Sequence, residues 1–159
     1  MAKVLIIYYS RSGNTQKMAE AVAEAARQVE GAHVDLRTVA DTTPDDMLAA
    51  DALIMGSPVY YGTMAAELKK LFDDSVKYHR QLTGKVGGAF ASSGAEHGGS
   101  ETTIVDILNA LLVHGMIIQG DAEGDHYGPV SVGAPDERAL KSCDKLGKRV
   151  AALAVKLFD

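Results

Sequence analysis

A stretch of six residues rich in hydroxyl side chains is the part of this sequence best suited to bind a ligand. Residues 10–15 read Ser-Arg-Ser-Gly-Asn-Thr, between an apolar run at 4–9 and a helical pattern that starts near Gln16. A strand that turns directly into a helix leaves backbone N–H groups unpaired at the helix start, where the helix dipole adds partial positive charge. Hydroxyl donors and a flexible glycine at that point favour a phosphate group, so we interpret residues 10–15 as a phosphate-binding loop.

Two common nucleotide-binding motifs are absent. The loop lacks the Gly-Lys-Ser/Thr ending of a Walker loop, and the chain contains no Gly-x-Gly of the dinucleotide fingerprint. The alternative to a phosphate site is an ordinary strand-to-helix turn in which Ser12 or Thr15 only caps the helix. The combination of hydroxyls, glycine and position favours the phosphate site.

Length and composition predict a single domain spanning residues 1–159, whose 47% apolar residues are enough to form a core. The net charge of −5 and the lack of a basic stripe argue against a nucleic-acid partner. No run approaches the roughly 18 apolar residues of a membrane span, no signal-peptide pattern is present, and a single cysteine excludes an internal disulfide. We therefore expect a cytoplasmic protein, with Cys143 as a packed core thiol.

Short apolar runs alternate with amphipathic helical patterns along the chain. We predict five strands, at residues 4–9, 34–37, 52–55, 86–91 and 116–119. Helical patterns lie between them, a terminal helix is capped by Asp136, and residues 120–133 form a polar stretch without a predicted element.

This alternation predicts an α/β fold, a three-layer α/β/α sandwich with helices on both faces of a parallel sheet. Five strands and an edge-like second strand favour the strand order 2-1-3-4-5. Ligands of such sheets bind beyond the carboxyl ends of the strands. The loops that leave those ends, at residues 10–15, 57–63 and 92–100, are therefore predicted to form one site.

The second and third of these loops are suited to a planar ring. Tyr60 and Tyr61 lie in the second loop, where an aromatic face can stack on such a ring. The alternative role of the two tyrosines is ordinary surface packing. The glycines of residues 92–99 leave backbone N–H groups free for the polar edge of a flavin, although glycine-rich surface turns are common.

Residues 10–15 match the pattern Thr/Ser-x-Ser/Thr-Gly-x-Thr, and the chain resembles the flavodoxin superfamily, most closely the WrbA-type NAD(P)H:quinone oxidoreductases. The other matching segments are residues 1–26, 56–73, 84–102, 114–116 and 151–157. The resemblance implies a flavodoxin-like fold, FMN as the cofactor and no metal site.

The resemblance carries the family's FMN contacts onto this chain position by position. The implied cofactor-binding residues are Ser10, Arg11, Ser12, Gly13, Asn14, Thr15, Pro58, Val59, Tyr60, Tyr61, Gly62, Ser92, Ser93, Gly94, Ala95, Glu96, His97 and His114. His114 corresponds to a histidine near the flavin, which in that family acts in an assembled tetramer. His114 and Tyr60 are the implied catalytic residues. The alternative role of His114 is that of a cation at a helix C-terminus.

The chain departs from the WrbA type in several places. It lacks that family's insertions before the third strand and after the fifth, Tyr60 and Tyr61 replace an Arg-Phe pair, and it has no tryptophan. These differences bear on tetramer assembly and quinone specificity, and they leave the expectation of FMN binding unchanged.

Two functions follow from the resemblance. In the first, NAD(P)H and a quinone are the substrates of a two-electron FMN oxidoreductase. In the second, the protein is a flavodoxin-type carrier that passes single electrons between redox protein partners. The mild acidity of the chain, with Arg11, His97 and His114 near the expected ring, favours the enzyme. Four acidic residues favour the carrier instead: Glu96, Asp121, Glu123 and Asp125. A homo-oligomer, either a dimer or a tetramer, is compatible with the resemblance.

Overall fold

The structure, a computed structural model, describes residues 1–159. Strands and helices alternate as predicted. The strands are β1 (Ala2–Tyr8), β2 (Ala32–Thr38), β3 (Ala52–Pro58), β4 (Val86–Ser93), β5 (Ile117–Ile118) and β6 (Val130–Val132). The helices are α1 (Asn14–Arg27), α2 (Pro44–Ala49), α3 (Ala66–Asp74), α4 (Ser100–Val113) and α5 (Glu137–Phe158), with short 3-10 turns at Val39–Asp41 and Ser75–Tyr78.

The strands form one parallel sheet in the order β2-β1-β3-β4-β5, which confirms the predicted flavodoxin-like fold. Val4 of β1 pairs with Val34 on one side and with Ala52 on the other. The branched apolar residues of β1 and β3 are buried because helices cover both faces of the sheet. One layer contains α2, α3 and α4, and the other contains α1 and α5.

The fifth position of the sheet is divided between two short strands. β5 pairs with the start of β4 at Val86 and Gly87, whereas β6 pairs with its end at residues 91–93. The interpretation of residues 120–133 as lacking an element is therefore corrected by β6. Two or three residues are too few to show a strand period, so the sequence pattern did not reveal this division.

Local signals set the helix ends. The Asp136 carboxylate accepts a hydrogen bond from the Ala139 N–H at 2.8 Å, which caps α5 as predicted. Cys143 of α5 is fully buried, and burial raises the pKa of its thiol to about 12. No helix combines the length and the apolar composition of a membrane span.

Helix α4 connects the two edges of the sheet. It begins at Ser100, next to the carboxyl ends of the strands, and its 14 residues extend about 21 Å toward the amino ends. Residues at the start and the end of α4 therefore lie at opposite edges of the molecule.

Candidate functional site

The first loop joins β1 to α1 and leaves several backbone donors free. Gly13 has a φ of 94°, a left-handed conformation that favours glycine, and its N–H donates to the Ser10 Oγ at 3.1 Å. The backbone N–H groups of Ser12, Asn14 and Thr15 donate no hydrogen bond within the protein. These donors lie at the positive end of the α1 dipole, so the loop offers the contacts that an anion requires.

Hydrogen bonds hold the predicted loops together at the carboxyl edge of the sheet. The Thr15 Oγ1 and the Ser92 Oγ lie 2.8 Å apart in a buried position, which joins the first loop to the end of β4. The Val59 N–H donates to the Ser92 carbonyl at 2.8 Å, and the Gly133 N–H donates to the Ser93 carbonyl at 2.7 Å. The walls of the site are therefore set by bonds between segments distant in sequence.

The second loop ends in a tight hairpin turn. Tyr60 and Thr63 exchange two backbone hydrogen bonds, and φ is 49° at Tyr61 and 80° at Gly62. Positive φ at both central residues is the geometry of a type I′ turn. Tyr61 at the tip of this turn is fully exposed, whereas Tyr60 at its base is partly buried.

Arg11, Tyr60 and Tyr9 form a cluster that connects the first two loops. The guanidinium carbon of Arg11 lies 5.1 Å from the centroid of the Tyr60 ring. The Tyr9 ring packs edge-on against the same ring, with centroids 6.3 Å apart. Arginine stays protonated in proteins, so this cluster carries a positive charge, and a hydrogen bond with Tyr9 raises the pKa of the Arg11 guanidinium further.

These loops enclose a cavity of about 260 Å³. Its lining residues are Arg11, Ser12, Asn14, Thr15, Pro58, Val59, Tyr60, Ser92, Ser93, Gly94 and Gly133. All of these except Gly133 belong to the predicted cofactor-binding set. The cavity thus joins the three loops that the sequence pattern assigned to one site.

The remaining predicted residues lie around the cavity or away from it. Ser10 and Gly13 shape the first turn, and Tyr61 and Gly62 form the exposed hairpin. Three residues of the third loop are exposed and do not line the cavity: Ala95, Glu96 and His97.

His114 is not brought into this cluster. It follows α4 directly and therefore lies at the amino edge of the sheet, opposite the three loops. Its side chain is buried, and its Nε2 lies 2.7 Å from the Ser75 Oγ. Burial lowers the pKa of this histidine, and the neighbouring His79 lowers it further, so His114 is not the helix-end cation that the sequence allowed.

Gly133 is the lining residue that sequence reasoning missed. It directly follows β6, which pairs with β4 and so carries the chain back to the carboxyl edge. No local signal pointed to it, because the three residues of β6 are too few to show a strand period.

A ligand with a phosphate at one end and a flat ring at the other fits this arrangement. Free N–H donors and the Ser12 hydroxyl lie in the first loop, while Tyr60 and Val59 provide an apolar wall. No carboxylate lines the cavity, and Arg11 is its one charged side chain. This donor set suits an anion, and no group of His, Cys, Asp or Glu side chains in the chain is arranged to hold a metal ion.

The model of the family described as NADPH-dependent FMN reductase matches residues 2–124. The chain belongs to this family. A protein named flavodoxin from Aquifex aeolicus is 42% identical, over 100% of this chain and 90% of that protein. A protein named NAD(P)H dehydrogenase (quinone) from Archaeoglobus fulgidus is 37% identical, over 99% of this chain and 100% of that protein.

A solved structure supports the same assignment. The flavodoxin, WrbA-like protein from Agrobacterium tumefaciens superposes with a TM-score of 0.82 at 27% identity, over 98% of this chain and 99% of that one. The predicted membership of the flavodoxin superfamily, as a short WrbA-type chain, is confirmed. The alignment with the Archaeoglobus fulgidus protein extends over 191 positions, so that relative has segments that this 159-residue chain lacks.

FMN is the cofactor, as predicted. The free donors of the first loop and the absence of carboxylates suit its phosphate, and the aromatic wall at Tyr60 suits its ring. The chain is thus an FMN-binding, flavodoxin-like oxidoreductase.

Proposed function

We propose that this oxidoreductase transfers two electrons from NAD(P)H to a quinone. The observation that carries the proposal is the one-sided aromatic cover of the cavity. Tyr60 is its one aromatic lining residue, and residues 92–99 contain no Phe, Tyr or Trp. A planar ring stacked on Tyr60 keeps its other face open to a second planar molecule. Hydride transfer requires such an approach, with reacting atoms roughly 3–3.5 Å apart.

The first loop has the task of holding the cofactor. Backbone N–H groups of Ser12, Asn14 and Thr15, together with the hydroxyls of Ser12 and Thr15, bind the phosphate in this proposal. Bound FMN supplies the redox chemistry, while the protein supplies position and electrostatics. The buried Thr15–Ser92 contact keeps the phosphate loop in register with the rest of the site.

Tyr60 and Arg11 act at the ring end of the cofactor, away from its phosphate. Tyr60 stacks on the ring, and its own orientation is held by Arg11 and Tyr9. Arg11 adds a positive charge at the cavity mouth, which attracts an anionic nicotinamide nucleotide. Overall, NAD(P)H loses a hydride, and the quinone takes up two electrons and two protons to become a quinol, the second proton coming from solvent. His114 has no role in this proposal, because it is buried at the other edge of the sheet.

A one-electron carrier is the second candidate function. It is supported by the Aquifex aeolicus relative named flavodoxin, which matches the whole of this chain at 42% identity. The net charge of −5 suits docking to a basic protein partner. For a carrier, the open face of the ring serves no small-molecule substrate.

Mixing the oxidised, FMN-loaded protein with NADH or NADPH tests the proposal. The flavin absorbance should bleach, and benzoquinone should restore it over many cycles. Absence of bleaching by either nucleotide, together with two widely separated one-electron potentials in a dithionite titration, would transfer the assignment to the carrier.

The role of Tyr60 has a matched control. Tyr60→Leu should weaken FMN binding by about 0.5–1.5 kcal/mol, roughly 2- to 12-fold, because the aromatic stacking is lost. Tyr127→Leu alters a tyrosine that is 53% exposed and does not line the cavity, and it should leave FMN binding unchanged. Equal effects of the two variants would remove Tyr60 from the site.

A further inference from the structure

The cavity of about 260 Å³ described above is called the flavin cavity from here on. A second and larger concavity begins at Arg11 and Tyr60, which also line the flavin cavity. Its volume is about 770 Å³, compared with about 260 Å³ for the flavin cavity. We call it the α3–α4 groove, because it lies between the start of α3 and the exposed side of α4. On α4 it is lined by Asp106, Ala110 and Val113, which share one helix face over about 10 Å. The groove therefore extends away from the flavin site along α4.

The walls of the α3–α4 groove are largely apolar. Met64 is 6% exposed, and Ala110 and Tyr60 add further apolar surface. Val113, at the far end, is 72% exposed. An apolar side chain this exposed, aligned with other apolar groups in a groove, gains contacts when an apolar ligand covers it.

The charges on the rim of the groove cancel. Arg11 and Lys69 are positive, and Glu67 and Asp106 are negative. The Lys69 ammonium donates to the Asp73 carboxylate at 2.6 Å, so it is already paired.

The two carboxylates on the rim are also in use. The Thr63 hydroxyl donates to Asp106 at 2.6 Å. Glu67 lies in the first turn of α3 and interacts with the positive end of that helix dipole. Along the groove, a pyrophosphate would meet these two carboxylates and no unpaired lysine, because Arg11 lies at the end that adjoins the flavin cavity. The neutral charge balance and apolar walls therefore disfavour the nucleotide part of NAD(P)H and favour an uncharged, apolar chain.

We infer that the α3–α4 groove binds the alkyl side chain of a lipophilic quinone, whose head group enters the flavin site past Arg11 and Tyr60. This inference rests on the proposed function, and it adds the substrate class: quinones with an alkyl tail rather than tail-free quinones. Each methylene fully buried in such a groove strengthens binding roughly fourfold, and the partial openness of this groove reduces that gain.

Direct binding to the oxidised, FMN-loaded protein, without any nicotinamide nucleotide, tests the inference. Calorimetry with quinones that share one head group and carry no chain, a four-carbon chain or a ten-carbon chain gives three dissociation constants. We expect the ten-carbon quinone to bind at least about tenfold more tightly than the tail-free quinone. A dissociation constant that does not change with chain length would overturn the inference, and the groove would then be assigned to a protein partner.

Two aspartate variants on adjacent residues of α4 separate groove binding from nonspecific partitioning. Val113→Asp places a charge on the groove wall and should reduce the ten-carbon to tail-free affinity ratio to within about twofold of one. Leu112→Asp is the matched control, because Leu112 is 54% exposed and does not line the groove, and it should keep the wild-type ratio. Equal loss of the ratio in both variants contradicts the inference. Circular dichroism confirms that each variant is folded.

These outcomes are independent of turnover. Chain-length-dependent binding that is sensitive to Val113→Asp, in a protein that does not oxidise NAD(P)H, supports the groove while the proposed function fails. Turnover of quinones with no dependence of binding on chain length supports the proposed function while the groove assignment fails.

Discussion

Two pairs of buried polar side chains lie at opposite edges of the sheet. Both pairs are joined by a short hydrogen bond, but their roles differ. At the carboxyl edge, the Thr15 Oγ1 and the Ser92 Oγ lie 2.8 Å apart, and both residues line the flavin cavity. At the amino edge, the Ser75 Oγ and the His114 Nε2 lie 2.7 Å apart and line none of the cavities described above. By residue type, the histidine pair is the more reactive of the two, yet the hydroxyl pair lies beside the ligand.

The hydrogen bonds of the histidine pair favour a structural role for it within the chain. The Ser75 hydroxyl donates to the Phe72 carbonyl at 2.6 Å, so its oxygen accepts a hydrogen bond from the His114 Nε2–H. This assignment leaves the buried Nδ1 of His114 unprotonated and without a partner. The pair is closed to ligands, whereas the Thr15–Ser92 pair adjoins free N–H donors. Position relative to the strand ends, and not residue type, separates the two roles.

Removing the hydroxyl at the carboxyl edge should have the largest effect. Thr15→Val should weaken FMN binding by about 1.5–3 kcal/mol, roughly 10- to 150-fold, because a hydrogen bond to a charged phosphate is lost. Riboflavin lacks the phosphate, so its affinity should change far less. Fluorescence titration of the apoprotein with each flavin measures both values.

Thr103 provides the control for this substitution. It is also a fully buried threonine, but its Oγ1 has no hydrogen-bond partner. Thr103→Val should leave FMN binding unchanged and keep or raise the free energy of unfolding, because an unsatisfied hydroxyl is removed. If Thr15→Val weakens FMN and riboflavin binding equally, the first loop has a structural role and does not bind the phosphate.

The opposite pattern is expected at the amino edge. Ser75→Ala removes the partner of a buried His114 N–H, so it should lower the free energy of unfolding by about 1–3 kcal/mol. FMN affinity should stay within about twofold of the wild type, because the pair lies about one helix length from the cavity. Urea unfolding measures the free energy of unfolding, and flavin titration measures the FMN affinity. Ser142→Ala, a partly buried serine outside both pairs, should change neither quantity. A large loss of FMN affinity in Ser75→Ala would contradict the separation of the two edges.

A smaller, pH-dependent effect should also come from His114. Burial lowers its pKa in the folded protein, with His79 adding to the shift, whereas an unfolded histidine titrates near 6.5. The unfolded chain therefore binds the proton more readily than the folded one. With respect to His114, the free energy of unfolding should have its full value above about pH 6.5 and should fall as the pH decreases below that value.

Comparison of variants isolates this contribution from that of the carboxylates. His114→Gln should flatten the pH dependence of unfolding between about pH 5 and 7, measured by urea denaturation at several pH values. His97→Gln changes an exposed histidine of the third loop and should retain the wild-type profile, because that side chain contacts water in both states. A profile unchanged by His114→Gln would show that the protonation of this histidine does not oppose folding.

The sequence by itself determined the features that depend on neighbouring residues. Residues 10–15 specify their own turn, because the Ser10–Gly13 contact, the positive φ of Gly13 and the free N–H donors all arise within one short segment. The sheet order followed from the alternation of elements, since parallel crossovers allow few arrangements. The ten predicted residues that line the cavity were accessible for the same reason: they follow the carboxyl ends of the long strands β1, β3 and β4.

Only the tertiary structure decided the features that depend on distant segments. Gly133 reaches the cavity because three residues of β6 pair with the end of β4, and so short a strand shows no period. His114 lies the length of α4 away from the cavity of its own chain, a distance that its similarity to a family histidine does not specify. The Arg11–Tyr60 contact and the α3–α4 groove arise where one loop packs beside two helices. Such contacts are set by three-dimensional packing, and no local sequence pattern encodes them.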